Sequence, residues 1–366
     1  MNIEKQILQW FEYFHENPEV SWQEVRSTAK IAEILNGLGV RYRTFPDITG
    51  LIAEIGKGDD VIAVRADMDA LCQEVNGVYQ ANHSCGHDAH MAIVLGTLLY
   101  LHDHPLNKRV RFIFQPAEEK GGGAIEMVKR GVLNEVTHLF GIHLRPIEEL
   151  PLGKISPSIQ HGACVFMEGK IMGTDAHGAR PHQGNNAIDA IAALYQYMKS
   201  IYHSPFEPYS AKITKIISGG ENVNIIPGTA EFALDVRAQK NTVLYNLQKK
   251  IEQGLKQLSI LFGISIEYDW YDFTPGAEIS KEAEKAASEA IISVAGEHAL
   301  APSVITPGSD DFHFYTIEHP DVKATMIGLG ADLKPGLHHP MMSFNKSALM
   351  MGAKVLAETV KKVLND

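Results

Sequence analysis

The sequence has few cysteines and no long apolar run. Its three cysteines, Cys72, Cys85 and Cys164, are an odd number at irregular spacing, which indicates no disulfide framework, and without a run of 18 apolar residues no membrane-spanning helix is expected. Basic residues are outnumbered, 33 against 44 acidic ones for a net charge of −11, which argues against a nucleic acid or membrane partner. The N-terminus lacks the layout of a signal peptide. We therefore expect a cytoplasmic protein with reduced thiols.

Short apolar runs alternate with helical patterns over most of the chain. Ser21 and Glu24 form a capping-box pattern that predicts the start of a helix. Apolar runs typical of buried strands follow at residues 51–56, 61–66 and 110–115. This alternation predicts an α/β fold with a doubly wound, largely parallel sheet.

The order of the elements changes near residue 163. From there strands and helices mix in an α+β pattern. After residue 273 the earlier alternation of short apolar runs and helical patterns returns. The simplest interpretation is a catalytic metal-binding domain in two pieces, residues 1–162 and 274–366, with a smaller domain inserted at residues 163–273.

Polar side chains follow three of the predicted strands where each strand ends. Asp67 and Asp69 follow one strand, Glu118 and Glu119 the next, and His143 a third. Ligands bind at the carboxyl ends of strands in open parallel sheets. We therefore expect these side chains to lie along one edge of the sheet.

Two further segments add metal-binding residues. The stretch "NHSCGHDAH" contains Cys85 and His87 just before a predicted helix, and "GLHHP" places His338 and His339 after a predicted strand. Each motif alone has a non-functional interpretation, such as a solvated glutamate pair or a hydrogen-bonded buried histidine. Their common placement favours a metal site.

The number of candidate ligands indicates more than one metal ion. Five side chains exceed the four of a closed zinc site and the three of a usual mononuclear catalytic site. Two divalent ions (Mn, Zn, Co or Ni) that share a bridging thiolate would use them all. The candidates are Cys85, His87, Glu119, His143 and one of His338 and His339.

Glu118 is then the neighbour of the candidate ligand Glu119 but has no ligand role itself. A carboxylate at this position can move a proton between water and a leaving amine. This pattern indicates metal-assisted hydrolysis of an amide. A thiol amidase with Cys85 as nucleophile and His87 as base is the alternative, and a binding protein with structural metals is a third possibility.

Seven motifs occur in order over nearly the whole chain: "RADMDAL", "CGHDAH", "FQPAEEKGGGA", "GIH", "AHGARPH", "NIIPGTAEFALDVR" and "LHHP". With them the sequence resembles the aminoacylase/carboxypeptidase metallohydrolases, and among these the amidohydrolase branch of hippurate hydrolases and auxin-conjugate hydrolases. The resemblance implies two divalent metal ions per chain. It also implies an inserted α+β (ferredoxin-like) lid domain and a homodimer formed through that domain.

The resemblance also implies roles for single residues. Glu118 matches the general acid/base and His177 the lid histidine that stabilises the oxyanion, while Asn224 and Arg237 match positions that hold the substrate carboxylate. The positions that match metal ligands are Cys85, His87, Glu119, His143 and His338. Asp67, Asp69 and Asp88 are candidates to orient the ligand histidines, and Asp67 and Asp88 are the two chosen for that role.

The sequence therefore predicts a metal-dependent amidohydrolase that hydrolyses N-acyl amino acids or related small amides with a metal-activated water. The partner is a small-molecule substrate, with no nucleic acid and no membrane. The alternatives are a dipeptidase or aminopeptidase of the same family, which would need to recognise a free amine, and the thiol amidase that depends on Cys85.

Overall fold

A computed structural model gives the structure of residues 2–364. Its helices, numbered along the chain, are α1 (Ile3–Glu16), α2 (Val25–Gly37), α3 (His87–His102), α4 (Gly123–Lys129), α5 (Ala187–Ser200), α6 (Asn241–Phe262), α7 (Lys281–Ala295), α8 (Phe314–Glu318) and α9 (Ala348–Leu364).

The strands are numbered in the same way: β1 (Arg41–Thr44), β2 (Leu51–Gly56), β3 (Val61–Asp67), β4 (Leu71–Val75), β5 (Val78–Asn82), β6 (Arg109–Gln115), β7 (Val136–Pro146), β8 (Ile155–Ser156), β9 (Ile159–His161), β10 (Ala163–Met172), β11 (Ala176–His177), β12 (Tyr209–Ser218), β13 (Ile225–Ile226), β14 (Thr229–Ala238), β15 (Ser265–Thr274), β16 (Val304–Thr306) and β17 (Lys323–Leu333).

The chain divides into two compact units. The first comprises the described residues up to 160, residues 278–305 and those from 311 onward, and the second comprises residues 161–277 and 306–310. Residues 306–310 belong to the second unit, a segment that the boundaries predicted from the sequence did not include. The catalytic and lid roles of the two pieces stay predictions.

The first unit contains a seven-stranded mixed sheet in the order β1-β2-β6-β3-β7-β17-β8. Its four central strands are parallel, and the pairs at both sides are antiparallel. The α/β prediction is confirmed, but the sheet is mixed rather than largely parallel. The loop between β2 and β3 is too short for the long crossover that parallel neighbours need, and β6 lies between these two strands.

Helix α3 is central to the first unit. It contacts α1, α9 and β3, and nearly all of its side chains are buried, including those of Ile93, Leu95 and Leu98. A helix that is apolar on all sides lies inside a protein. This burial holds the N-terminus of α3 in a defined place.

The second unit contains a four-stranded antiparallel sheet in the order β12-β14-β10-β15. Buried side chains of α5 and α6 share a core with those of β10 and β14. The four strands of this sheet and the two helices follow one another along the chain in the order β10, α5, β12, β14, α6, β15.

No helix within residues 2–364 is long and apolar enough to cross a membrane. The cytoplasmic location stays a prediction.

Candidate metal centre

The ends of adjacent parallel strands meet at one edge of the first unit's sheet. β3 ends at Asp67, opposite the last residue of β6, and the turn that carries Glu119 follows β6. On the other side Arg65 of β3 pairs with Gly141 of β7, two residues before His143. Candidate metal-binding side chains from separate strands thus lie along the same edge of the sheet, as the sequence predicts.

The N-terminus of α3 adds two more candidate ligands. Cys85 lies just before the helix, and His87 is its first residue. Between them, Gly86 has a φ of +86°, in the left-handed region that favours glycine. A Cβ added there would lie 3.0 Å from the Leu144 side chain. Gly86 therefore allows the tight turn that brings Cys85 and His87 to the same place.

Two groups of possible ligands share one sulfur atom. The ligand atoms of Cys85, His87 and His143 lie within 4.8 Å of one another, and so do those of Cys85, Glu119 and His338. Cys85 Sγ is 3.6 Å from His143 Nε2, and Glu119 Oε1 is 3.6 Å from His338 Nε2. Since a thiolate can bridge two borderline-soft ions, this arrangement can hold two ions.

The two buried histidines are oriented through their second ring nitrogen. His143 Nδ1 donates to the Leu144 carbonyl oxygen at 2.7 Å, and His87 Nδ1 donates to Asp69 Oδ1 at 3.3 Å. Both Nε2 atoms can then offer a lone pair. Burial, together with the charge of His90, lowers the pKa of His143 well below its usual value, which favours the neutral imidazole that a metal requires.

The cluster fits divalent cations. Among residues 2–364, His87 Nε2 and Glu119 Oε1 are buried without a hydrogen-bond partner, which is rare in folded proteins. Burial raises the pKa of Glu119 to about 7 despite the opposing charge of His87, and a bound cation would favour the carboxylate again. Thiolate, imidazole and carboxylate together suit Zn, Co, Ni and Mn.

Asp69 holds the turn that carries Glu118 and Glu119. Its Oδ1 accepts the Glu118 N–H at 3.1 Å, its Oδ2 accepts the Glu119 N–H at 3.0 Å, and the Ser21 hydroxyl donates to Oδ2 at 2.6 Å. Glu118 Oε2 lies 3.8 Å from His87 Nε2, outside both groups that share Cys85. One aspartate thus positions the His87 ring and both glutamates.

Glu24 supports the same turn from the other side. Its buried carboxylate accepts the N–H of Ala117 at 2.8 Å and of Trp22 at 3.1 Å, and burial raises the pKa of Glu24. The predicted capping box does not form, because α2 begins at Val25 without a side-chain cap. Glu24 instead holds the backbone at Ala117, and Ser21 holds the Asp69 carboxylate, which the sequence did not indicate.

The three candidate orienting aspartates have different partners in the structure. Asp88 pairs with His15 at 2.7 Å. Asp67 accepts from His90 Nδ1 at 2.7 Å and lies 3.9 Å from His87 Nδ1, farther away than Asp69. The second aspartate of "RADMDAL", Asp69, is therefore the one whose hydrogen bond to His87 the structure describes.

The surroundings of Cys85 disfavour a metal-free nucleophile. Burial, and then the charge of Glu119, raises the pKa of Cys85 well above its usual value. Nucleophilic cysteines have depressed pKa values. A thiolate at this position needs stabilising cations, which favours Cys85 as a metal ligand.

The remaining predicted site residues lie in the second unit. His177 lies in β11, which pairs with β13, and the Asn224 carbonyl oxygen accepts the N–H of Gly178 at 2.7 Å. His177 and Asn224 therefore lie close together. Arg237, in β14, is paired with Asp235 through its Nε at 2.9 Å. This carboxylate partner of Arg237 is not evident from the sequence.

The mixed α/β fold and the largely buried cluster of metal-binding side chains are features of a metal-dependent hydrolase. Residues 63–362 match Peptidase family M20/M25/M40, and the chain belongs to this family. The resemblance to metallohydrolases is confirmed, and so is the prediction of a hydrolase.

Relatives and solved structures are similar over most of the chain. N-acetylcysteine deacetylase of Bacillus subtilis (strain 168) is 32% identical over 371 residues, which cover 96% of this chain and 94% of the relative. N-acyl-L-amino acid amidohydrolase of Geobacillus stearothermophilus is 33% identical over 294 residues, covering 75% and 78%. The crystal structure of the Bacillus subtilis YXEP protein, a dinuclear metal binding peptidase from the M20 family, matches with a TM-score of 0.85 at 28% identity and 99% coverage of both chains. The family thus includes dinuclear metal-binding members.

Proposed function

We propose that this protein is a metal-dependent amidohydrolase that hydrolyses the amide bond of N-acyl amino acids. The observation that carries the proposal is the pair of ligand groups joined at Cys85, with His87 Nε2 and Glu119 Oε1 buried and lacking a hydrogen-bond partner among residues 2–364. The substrate class is supported by the names of two relatives, N-acetylcysteine deacetylase and N-acyl-L-amino acid amidohydrolase.

The five candidate ligands would hold two divalent ions, one in each group that shares Cys85. The chemistry that such ions supply is Lewis acidity, which polarises a carbonyl group and makes water more acidic. Mn, Zn, Co and Ni all suit this donor set. The proposed ligands are Cys85, His87, Glu119, His143 and His338.

Glu118 is the proposed general acid/base. Its carboxylate takes a proton from the attacking water and returns it to the leaving nitrogen as the C–N bond breaks, which yields a carboxylic acid and a free amine. The Asp69 hydrogen bond to the Glu118 backbone holds this carboxylate 3.8 Å from His87 Nε2. Glu118 can therefore reach the reacting atoms without being one of the five ligands.

His177 is the proposed hydrogen-bond donor to the developing oxyanion. Its Nδ1 accepts the N–H of Ala179 at 3.0 Å, which leaves the ring proton on Nε2, and Nε2–H can donate to an oxygen. For Asn224 and Arg237 we propose binding of the substrate carboxylate, since a guanidinium binds a carboxylate with two parallel hydrogen bonds. The ion pair with Asp235 would orient that guanidinium.

Replacing His177 by alanine is expected to lower kcat about a hundredfold or more, because one oxyanion donor is lost, with metal content unchanged. His298→Ala, at an exposed histidine outside the seven motifs, is the matched control and should retain activity. Steady-state kinetics and metal analysis measure both quantities. An unchanged kcat in His177→Ala would remove this residue from the mechanism.

For the second unit we propose a lid role and a homodimer contact. Its strand and helix order is that of a ferredoxin-like fold. The edge strand β12 carries the exposed Ile216 and Ile217, and exposed edges with apolar side chains favour pairing with another chain. A mass measurement of the intact chain in solution should give a dimer, and a monomer at all concentrations would contradict this proposal.

The experiment that tests the function is a substrate panel assayed under metal control. Release of free amino acid is followed from N-acetyl and N-benzoyl amino acids and from dipeptides, after chelation and again after addition of Mn, Co, Ni or Zn. We expect hydrolysis of the N-acyl substrates that chelation abolishes and metal restores. Cleavage of dipeptides alone would favour a peptidase, and activity that survives chelation but is lost on thiol alkylation would favour the thiol amidase.

A further inference from the structure

His338 is held differently from the other candidate histidine ligands. His87 and His143 are buried, in α3 and β7, whereas His338 lies in the loop after β17 with its side chain 55% exposed. Its φ is +64°, in the left-handed region that is unfavourable for a residue other than glycine. Other contacts must therefore keep His338 in this conformation.

Those contacts come from the β4–β5 hairpin and the segment that follows it. The His338 N–H donates to the Ser84 carbonyl oxygen at 2.7 Å, and the His338 carbonyl oxygen accepts from Gln73 Nε2 at 2.7 Å. Both backbone polar groups of His338 thus bind a single segment of the chain. Ser84 is the neighbour of Cys85, so the segments that carry these two ligands are joined directly.

Gln73 is the centre of this connection. Its Oε1 accepts from the Ser84 hydroxyl at 2.7 Å and from Asn82 Nδ2 at 3.2 Å, which leaves its amide N–H to face the His338 carbonyl. Asn82 Nδ2 also donates to the Pro340 carbonyl oxygen at 3.0 Å. A single amide side chain therefore ties the His338 loop to the segment before Cys85.

We propose that Gln73 is a positioning residue for the metal position formed by Cys85, Glu119 and His338. The inference rests on the proposed metal centre. The other position uses His87 and His143, whose orienting contacts are with Asp69 and Leu144. Loss of the Gln73 contact should therefore weaken the binding of one of the two ions and leave the binding of the other unchanged.

The test is Zn²⁺ binding by the full chain, measured as metal content and by competition with a chelator. Gln73→Glu keeps the size and the acceptor oxygen but places a second oxygen against the His338 carbonyl. Gln73→Met removes the hydrogen bonds without adding a charge. In both variants one ion should bind about 10–100-fold more weakly, the usual effect of removing a contact behind a metal ligand, while the other keeps its affinity.

Two reference variants complete the design. Gln80→Glu adds the same charge at the cross-strand partner of Gln73, on an exposed side chain, and should bind both ions normally. His338→Ala removes a proposed ligand of the affected ion and so identifies that ion. It should weaken the binding of this ion more strongly than the Gln73 variants do.

The outcomes separate the inference from the metal centre itself. Two ions in the wild type with one selectively weakened in both Gln73 variants would support the inference. The inference would be overturned if Gln73→Glu and Gln73→Met bound both ions normally, or if they bound both ions equally weakly. Either result would leave the proposed metal centre in place. Fewer than two ions in the wild type would overturn the proposed centre, and the role of Gln73 with it.

Discussion

Replacement of Glu118 by glutamine is expected to lower kcat about a hundredfold to ten-thousandfold while both metal ions stay bound. Glutamine has nearly the same shape, so the turn held by Asp69 through the backbone N–H groups of Glu118 and Glu119 should persist. An amide oxygen, however, does not take a proton from water at neutral pH. Turnover of an N-acyl amino acid and metal content, measured on the same sample, check both parts.

Glu148→Gln is the control for this experiment, because Glu148 is an exposed glutamate of the first unit. It should leave kcat and metal content unchanged. Loss of metal from the Glu118 variant would make Glu118 a ligand, and near-normal turnover would require another proton carrier.

Replacement of Cys85 by alanine is expected to have the widest effect, because Cys85 belongs to both ligand groups. Binding of both ions should weaken, and turnover should fall at least about a thousandfold, since Lewis acidity contributes several kcal/mol to catalysis. Metal content and turnover of the purified variant measure the two effects. By contrast, Glu119→Ala or His143→Ala removes a ligand from one group only and should weaken mainly one ion.

The other two cysteines are the natural controls. Cys72 is exposed and Cys164 is buried in the second unit, so alanine at either position should preserve both ions. The result that would refute a ligand role for Cys85 is an inactive Cys85→Ala protein with full metal content. If the wild type also resisted chelation, Cys85 would be the nucleophile.

Helices leave a local pattern in the sequence. In α6, the buried Leu244, Leu247, Ile251 and Leu255 recur at the spacing of one helical face. Such a pattern depends only on neighbours three and four positions away, so a single sequence reveals it. The order and direction of strands depend on distant partners, and so the antiparallel sides of the first sheet were not predicted.

The same distinction applies at the candidate metal centre. Of the adjacent pair His338 and His339, only tertiary contacts place His338 beside Glu119, while His339 Nδ1 accepts the N–H of Met341. Likewise, the "RADMDAL" segment offers two aspartates, and geometry assigns the hydrogen bond with His87 to Asp69.

By itself the sequence determined the family, the α/β class and the candidate ligands, because residue type and motif order carry that information along the chain. Only the tertiary structure decided how those ligands are held. Gln73 and His338 are 265 positions apart, and the Ala117 N–H finds its acceptor on Glu24, 93 positions away. Hydrogen bonds between such distant groups leave no local pattern, since they form only when folding brings the segments together.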